Sequence, residues 1–280
     1  MNLFDQTVET ALEADNTYAA LRPVVEKEIL HHDILREMNK AGYLREITFM
    51  GGTCLRSCYG SERLSEDLDF SGGFEFKKED LAGLGQLVIE GLKKKYNLEV
   101  SVGEPVKETG NTDTWKIKVI TRPERPDFPS QKINIDICTL PSYDRKPVML
   151  KNYYGIEAGT SGIILYAESL TEILADKIIA IALRLNRIKN RDLWDILWLS
   201  RSHIFLSQDL LEKKLADRKI APADFIAKYH SRLEEIQTGQ KDFIAEMRRF
   251  LAPAAFDEHL TGSLFWEHLL LLLRELVNKA

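Results

Sequence analysis

The hydrophobic pattern of the chain changes near its middle, and this change limits the possible folds. Before about residue 150, alternating segments such as TWKIKVI (114–120) and KINIDICTL (132–140) are mixed with helical segments. An apolar period of two is typical of half-buried strands. From the capping box SLTE (169–172) onward, almost every segment has a helical pattern. The sequence therefore predicts an α/β (α+β) N-terminal part with a mixed sheet, residues 1–150, and an all-helical C-terminal domain, residues 151–280.

Composition and charge exclude several classes of protein. The 280 residues are 44% hydrophobic and 29% charged, which is ordinary for a globular protein. The net charge of −5 argues against binding nucleic acid by bulk charge, although a local basic patch is compatible with it. The N-terminus does not resemble a signal peptide, and the most apolar run, LLLLLRELV, is too short to span a bilayer. Three cysteines without CxxC spacing fit reduced thiols, so we expect a cytoplasmic protein with no membrane partner.

The segment FMGGTCLRSCYGSERLSEDLDFSGG (49–73) contains a pair of like charges that needs an explanation. Asp67 and Asp69 are two positions apart on an expected strand, so their side chains share one face. Two unneutralised carboxylates that close repel each other, and a divalent cation removes the repulsion. Oxygen ligands of this kind suit Mg²⁺, which binds a few carboxylates together with substrate phosphates. An Asp-x-Asp pair on its own is more often a solvated turn.

A third carboxylate is expected beside the first two. In KINIDI the isoleucines alternate with polar residues, so Asp136 lies on the polar face of a half-buried strand. Three carboxylates around two metal ions suit phosphoryl or nucleotidyl transfer. Gly51 and Gly52 allow the backbone to approach a phosphate closely, with Thr53 as a donor at the start of a helix. The combination predicts a nucleotidyltransferase site.

Two blocks of the sequence, residues 49–73 and LADKIIAIALRLNRIKNRDLWDIL (174–197), resemble the AbiEii/AbiGii nucleotidyltransferase toxin family. This family includes the MenT-type toxins and belongs to the DNA polymerase β-like nucleotidyltransferase superfamily. The similarity extends from about residue 25 to residue 199. It implies a polymerase-β-like nucleotidyltransferase core, followed by a helical domain that contributes Lys177 and Asp192 to the active-site cleft.

The resemblance also implies roles for individual residues. Those matching its phosphate- and nucleotide-facing positions are Gly51, Gly52, Thr53, Arg63, Ser65 and Arg184. Those matching its catalytic positions are Asp67, Asp69, Asp136, Lys177 and Asp192, of which Asp67, Asp69 and Asp136 would bind metal. Asp195 matches a position expected to be structural. The family's central strand often has Lys-x-Asp or Lys-x-Glu, whereas this chain has Asn134 at the lysine position, so the role of that lysine, if this chain needs it, would fall to Lys132 or Lys118.

Several of these residues also have simpler interpretations. Lys177, Arg184 and Arg191 recur every seven residues, so they would form a cationic stripe if one helix continued through all three. The segment Asn186–Asn190 is expected to interrupt that helix, with a second helix starting at RDLWDILWL. The same residues could be a solvated basic face. Asp192 could neutralise Arg184 or orient Lys177, and Ser65 could be a turn or capping serine.

Two other potential metal sites are disfavoured. Cys54 and Cys58 have no histidine nearby in sequence and are expected to be small buried residues. His31 and His32 are adjacent on an expected helix, where their side chains point about 100° apart, so they are poorly placed to chelate one ion.

The resemblance implies a Mg²⁺-dependent nucleotidyltransferase, the toxin of a toxin–antitoxin or abortive-infection system. It would use a two-metal site to transfer NMP from an NTP to an RNA acceptor, with tRNA as the expected acceptor, and a cognate antitoxin would oppose it. One alternative keeps the chemistry but uses a small molecule or a protein as acceptor. Another is a non-catalytic nucleotide-binding module, which three carboxylates disfavour because sensing does not need them.

Overall fold

The computed structural model of the protein describes residues 2–106, 110–125, 127–262 and 264–278. The chain divides into two compact units, Met1–Glu168 and Ser169–Ala280. The first unit contains a mixed sheet with helices, and the described residues of the second unit form helices but no strands. The predicted α/β class followed by helices is therefore confirmed, although the last strand, Ile164–Glu168, lies beyond residue 150 and the described helices of the second unit begin at Leu170.

The sheet of the first unit brings distant segments together. Within the described residues its seven strands are β1 (Thr48–Met50), β2 (Leu68–Ser71), β3 (Glu99–Gly103), β4 (Thr112–Ile120), β5 (Gln131–Cys138), β6 (Arg145–Met149) and β7 (Ile164–Glu168). Their order is β3-β4-β5-β2-β1-β7-β6. The β2–β5 and β1–β7 pairs are parallel, and the other neighbouring pairs are antiparallel. This order places β2, which follows the glycine turn, directly beside the later strand β5.

The described part of the first unit also contains four α-helices. They are α1 (Leu3–Ala14), α2 (Arg22–Lys40), α3 (Gly51–Cys54) and α4 (Leu84–Tyr96). The short α3 starts at the glycine pair and continues as a π-helical turn, Leu55–Tyr59. Proline at the second position of α2 suits its first turn, where no intrahelical hydrogen bond is lost.

The alternating residues of β2 and β5 fix which face is buried. Phe70, Ile133, Ile135 and Ile137 are at most 1% exposed, and Phe70 stacks on Phe49 of β1 with 5.0 Å between ring centroids. Each such side chain contributes about 1.5–3 kcal/mol when fully buried. A register slip of one residue would turn all of them to the opposite face, so the register is strongly specified.

The second unit is a set of packed helices. Within the described residues they are α5 (Leu170–Leu183), α6 (Asn190–Arg201), α7 (Gln208–Asp217), α8 (Pro222–Gln237), α9 (Gln240–Met247), α10 (Pro253–Leu260) and α11 (Phe265–Asn278). The predicted capping box starts α5, because Ser169 Oγ accepts a hydrogen bond from the Glu172 amide at 3.2 Å. None of the helices in the described ranges is long and apolar enough to cross a membrane.

The continuous helix needed for a Lys177–Arg184–Arg191 stripe does not form. α5 ends at Leu183, Arg184 has extended backbone, and α6 begins only at Asn190. The guanidinium of Arg232 on α8 donates to the backbone carbonyls of Arg184 and Asn186, which stabilises this break. The interruption expected at Asn186–Asn190 is therefore confirmed, and the stripe that required a continuous helix does not form.

Candidate active site

Two aspartates on neighbouring strands form the centre of the candidate site. The parallel register of β2 and β5 pairs Asp69 with Asp136. Because Phe70 and Ile135 are buried, strand alternation directs both carboxylates to the opposite face, where they are partly exposed. Neighbouring strands are about 5 Å apart, so the two side chains lie next to each other. Thr114 on β4 is the register partner of Asp136 on β5. Its hydroxyl donates a hydrogen bond to Asp136 Oδ1 at 2.6 Å and thereby orients that carboxylate.

Gly51 brings the turn after β1 against Asp69. Its φ of +76° lies in the left-handed region, which residues with a side chain rarely adopt. A Cβ added at this position would lie 2.7 Å from Asp69 Oδ2. Glycine is therefore required both by the backbone conformation and by the space that the carboxylate occupies.

Buried side chains pack against the interior side of the glycine turn. A Cβ added at Gly52 would clash with Arg63 Nη2 and lie 3.2 Å from Ser65 Oγ. Arg63 and Ser65 are only 2% and 6% exposed. Thr53 is fully buried, and its hydroxyl donates to the backbone carbonyl of Asp67. These contacts hold the glycine turn against the start of β2.

Asp67 has a different local role from Asp69. It precedes β2, which begins at Leu68, and its Oδ1 accepts a hydrogen bond from the backbone N–H of Asn134 at 3.0 Å. Asp67 thus ties the entry of β2 to β5. This bond engages one carboxylate oxygen, and the group has a second oxygen that can act as an acceptor or ligand.

The residues of this site fit a hard divalent cation. Asp69 and Asp136 provide adjacent oxygen donors, and like charges this close are stabilised by a cation between them. As the side chains stand, no group of three or more His, Cys, Asp or Glu residues that could hold a metal occurs in the part of the chain that the structure describes.

In the second unit, Lys177 lies between two aspartates of α6. Its Nζ is 2.6 Å from Asp192 Oδ1 and 2.8 Å from Asp195 Oδ2. Arg184 Nη2 donates to the other oxygen of Asp192 at 2.8 Å. Asp192 therefore neutralises Arg184 and also orients Lys177, the two roles that the sequence left open. Burial alone would raise the pKa of Asp192, but the attraction of Lys177 and Arg184 outweighs it and lowers that pKa.

Arg191 makes its contacts elsewhere in the second unit. Its guanidinium carbon is 4.7 Å from the ring centroid of Phe250, and its Nε is 3.5 Å from Glu246 Oε1. Of the three cations that the sequence suggested as a stripe, Lys177 and Arg184 share the carboxylate of Asp192. The interruption between α5 and α6 explains this arrangement, because it reverses the chain and brings α6 back beside α5.

Lys116 lies beside the site and was missed by sequence reasoning. The register of β4 and β5 pairs Lys116 with Asn134 and Lys118 with Lys132. All three lysines are exposed and lie on the same face as Asp136. Thr114 is the register partner of Asp136, and Lys116 lies two residues beyond Thr114 along β4. Lys118 and Lys132, which are partners of each other, lie four residues along their strands from Thr114 and Asp136. The alternation in TWKIKVI reveals its face, but only the strand register reveals that it is opposite Asn134.

Cys54, Cys58, His31 and His32 are all buried in the first unit. Cys54 and Cys58 are buried free thiols. His31 Nε2 donates to the carbonyl of Glu66 at 3.0 Å, and His32 Nδ1 is hydrogen-bonded to Thr160 Oγ1 at 2.9 Å. Burial of these imidazoles lowers the pKa of His31 to about 3 and that of His32 to about 4.

Comparison with solved structures finds similarity at low sequence identity. MenT4, a nucleotidyltransferase toxin from Mycobacterium tuberculosis, superposes with a TM-score of 0.61 at 14% identity, over 100% of this chain and 91% of that chain. JHP933 from Helicobacter pylori gives a TM-score of 0.45 at 16% identity, over 91% of this chain and 90% of that chain. At these identities the first match indicates a shared fold. No curated protein matches the sequence.

The sequence itself matches one family profile, described as nucleotidyl transferase AbiEii toxin of a type IV toxin–antitoxin system, over residues 33–266. This span includes the glycine turn, the paired aspartates and the Lys177–Asp192 cluster, and it covers most of the chain. The protein therefore belongs to the AbiEii nucleotidyltransferase toxin family of type IV toxin–antitoxin systems and is a nucleotidyltransferase.

Proposed function

We propose that the protein transfers a nucleoside monophosphate from an NTP to an RNA acceptor, with tRNA as the expected acceptor, in a Mg²⁺-dependent reaction. The observation that carries this proposal is the pairing of Asp69 with Asp136, directly beside the turn at Gly51. In the reaction, an acceptor hydroxyl oxygen forms a bond to the α-phosphorus. The bond from that phosphorus to the oxygen bridging to the β-phosphate breaks, and pyrophosphate leaves.

Metal binding is proposed at the three aspartates. Asp69 and Asp136 would provide adjacent ligands, and Asp67 would provide a third. Two Mg²⁺ ions bound there would neutralise phosphate charge and lower the pKa of the acceptor hydroxyl. Thr114 keeps the Asp136 carboxylate in a fixed orientation through its 2.6 Å hydrogen bond.

The glycine turn is the proposed site for the phosphates of the NTP. Gly51 and Gly52 have no side chains, so the backbone amides of residues 51–53 can approach phosphate oxygens closely. Arg63 and Ser65 are buried beneath this turn. We assign them the role of holding its backbone in place for the nucleotide.

The helical unit is proposed to complete the active site. Lys177 and Arg184 would engage the triphosphate, Lys177 as a point charge and Arg184 as a planar fork. Asp192 would orient both cations, and the fully buried Asp195 would hold Lys177 from the other side. In this proposal the α/β core binds the metal ions and phosphates, and the helical domain contributes Lys177 and Asp192 to the active site.

Membership of a type IV toxin–antitoxin family implies a cognate antitoxin. We propose that the protein acts in the cytoplasm, in growth control or abortive infection, and that the antitoxin opposes its activity. The three free cysteines support a reducing compartment.

Incubation with each α-labelled NTP, Mg²⁺ and total RNA tests the proposed reaction. We expect the wild-type protein to label RNA and to release one pyrophosphate for each NMP transferred. The Asp69→Asn variant should do neither. Asp224→Asn is a matched control, because it makes the same substitution at an exposed aspartate in the first turn of α8, in the second unit. Label on protein or on a small molecule, with none on RNA, would contradict the proposed acceptor. NTP binding without pyrophosphate release would contradict the reaction itself.

A further inference from the structure

Three lysines, Lys116, Lys118 and Lys132, form an exposed surface on β4 and β5, which we call the lysine patch. Alternation places all three on the face that carries Asp136. Lys116 is paired with Asn134, so it is one strand across and two residues along from Asp136. This offset corresponds to about 5 Å across the sheet and about 7 Å along it. The patch therefore begins beside the carboxylates and extends away from them.

Two members of the lysine patch carry like charges in direct opposition. Lys118 and Lys132 are Cα partners across the antiparallel β4–β5 pair. Like charges directly opposite each other on a sheet are destabilising. Because the whole chain has a net charge of −5, this local concentration of positive charge is not a consequence of a generally basic protein. A bound polyanion would remove the repulsion, and this feature points to an anionic ligand.

The position of the patch relative to the glycine turn indicates which anion it binds. Gly51 follows β1, which is on one side of β2, whereas β5 and β4 are on the other side. Asp69 and Asp136 lie between the glycine turn and the lysine patch. In an in-line transfer, the attacking hydroxyl and the leaving pyrophosphate are on opposite sides of the transferred phosphorus. With the NTP phosphates at the glycine turn, the acceptor approaches from the side of the patch.

We propose that the lysine patch binds the phosphate backbone of the acceptor RNA and guides its reactive hydroxyl to Asp136. This inference rests on the proposed function, because it assumes that the acceptor is RNA. Lysine ammonium groups bind phosphates as point charges without reading base sequence. The patch therefore contributes to affinity for the acceptor and to its orientation, and not to the choice of NTP.

The salt dependence of RNA binding tests this assignment. Each phosphate contact contributes about 0.7 on a single strand and about 0.9 on a duplex to the slope of log K against log salt concentration, and tRNA contains both. The variant Lys116→Gln/Lys118→Gln/Lys132→Gln should therefore have a slope smaller by about 2–3, and its affinity should be roughly 50- to 150-fold lower at about 0.15 M salt. Fluorescence anisotropy with labelled bulk tRNA measures both quantities between 0.05 and about 0.3 M KCl.

A matched variant, Lys78→Gln/Lys93→Gln/Lys94→Gln, removes the same charge from exposed lysines on or near α4. A Cβ at Gly85 of α4 would lie 3.3 Å from Val102 Cγ1. Val102 is paired with the buried Ile117, so α4 packs against the face opposite the lysine patch. This control should keep the wild-type slope and affinity.

Steady-state kinetics separate failure of this inference from failure of the proposed function. We expect the patch variant to have a KM for RNA at least 10-fold higher and an unchanged KM for NTP. Its melting temperature should be no lower than that of wild type, because the opposed charges are removed. If wild type labels RNA and the patch variant keeps its salt slope and KM for RNA, the patch assignment is wrong and the proposed function stands. If wild type labels no RNA, the proposed function and this inference both fail.

Discussion

Replacing Gly51 with alanine perturbs the candidate site through one neighbouring side chain, that of Asp69. Alanine in the left-handed backbone conformation of residue 51 has a moderate cost in free energy of unfolding. A left-handed conformation costs an L-residue about 1–2 kcal/mol, and the less flexible unfolded chain of the variant offsets about 0.4–1 kcal/mol. The free energy of unfolding should therefore fall by about 1 kcal/mol.

The effect of Gly51→Ala on activity should be much larger than this loss of stability. The added Cβ would be 2.7 Å from Asp69 Oδ2, whereas a close carbon–oxygen contact is about 3.3 Å, so the carboxylate must move by about 0.6 Å. A misplacement on the order of 1 Å at a reacting centre costs about 100-fold in rate. We expect kcat for NMP transfer to fall by about 10- to 100-fold.

Gly42→Ala provides the control for the backbone effect. Gly42 has a φ of +83°, and an added Cβ there would meet nothing within 4 Å. Both variants should lose similar stability in urea unfolding, but only Gly51→Ala should lose transfer activity. Equal kcat values for the two variants would refute the idea that the glycine protects the position of Asp69.

Three further outcomes follow from the structure. Lys177→Met should lower the free energy of unfolding by roughly 3–5 kcal/mol, because Asp192 and Asp195 remain buried without their shared cation; a loss below about 1 kcal/mol in urea unfolding would contradict this. The lowered pKa values of His31 and His32, about 3 and about 4 in the folded chain, mean that the unfolded chain binds more protons below pH 6.5. Stability should therefore fall by about 1.4 kcal/mol per pH unit per histidine as the pH decreases toward 4, and His31→Gln/His32→Gln should flatten this dependence in unfolding experiments at several pH values. EDTA should abolish NMP transfer and excess Mg²⁺ should restore it, whereas transfer that persists in EDTA would contradict metal dependence.

Local patterns were sufficient to predict the elements around the carboxylates. The alternation in KINIDI reveals a strand with Ile133, Ile135 and Ile137 buried and Asp136 on the polar face, because the side-chain period of a strand is a local property. The glycine pair and the capping serine Ser169 likewise act within a few residues of their position. The register that pairs Asp69 with Asp136 agrees with the adjacency expected from the sequence.

Features that depend on long-range packing could not be predicted in the same way. The importance of Lys116 depends on the β4–β5 register, which the sequence of the connecting loop does not specify. Strand β6 contains Pro147, which is unfavourable in a central strand but acceptable at the edge of the sheet, where β6 lies. The helix interruption after Leu183 was expected from the sequence, but its stabilisation by Arg232, a residue far along the chain, was not.

The most direct test of the central claim is a double-mutant cycle at Asp69 and Asp136, measured as single-turnover transfer of labelled NMP to RNA. If the two carboxylates act as one metal-binding unit, Asp69→Asn and Asp136→Asn should each reduce the rate by about 1,000-fold, and the double variant should be no slower than either. Folding of each variant is verified by its melting temperature, which should not fall, because each substitution removes a like-charge repulsion. A double variant whose loss equals the product of the single losses, or a fully active Asp136→Asn variant, would contradict the account.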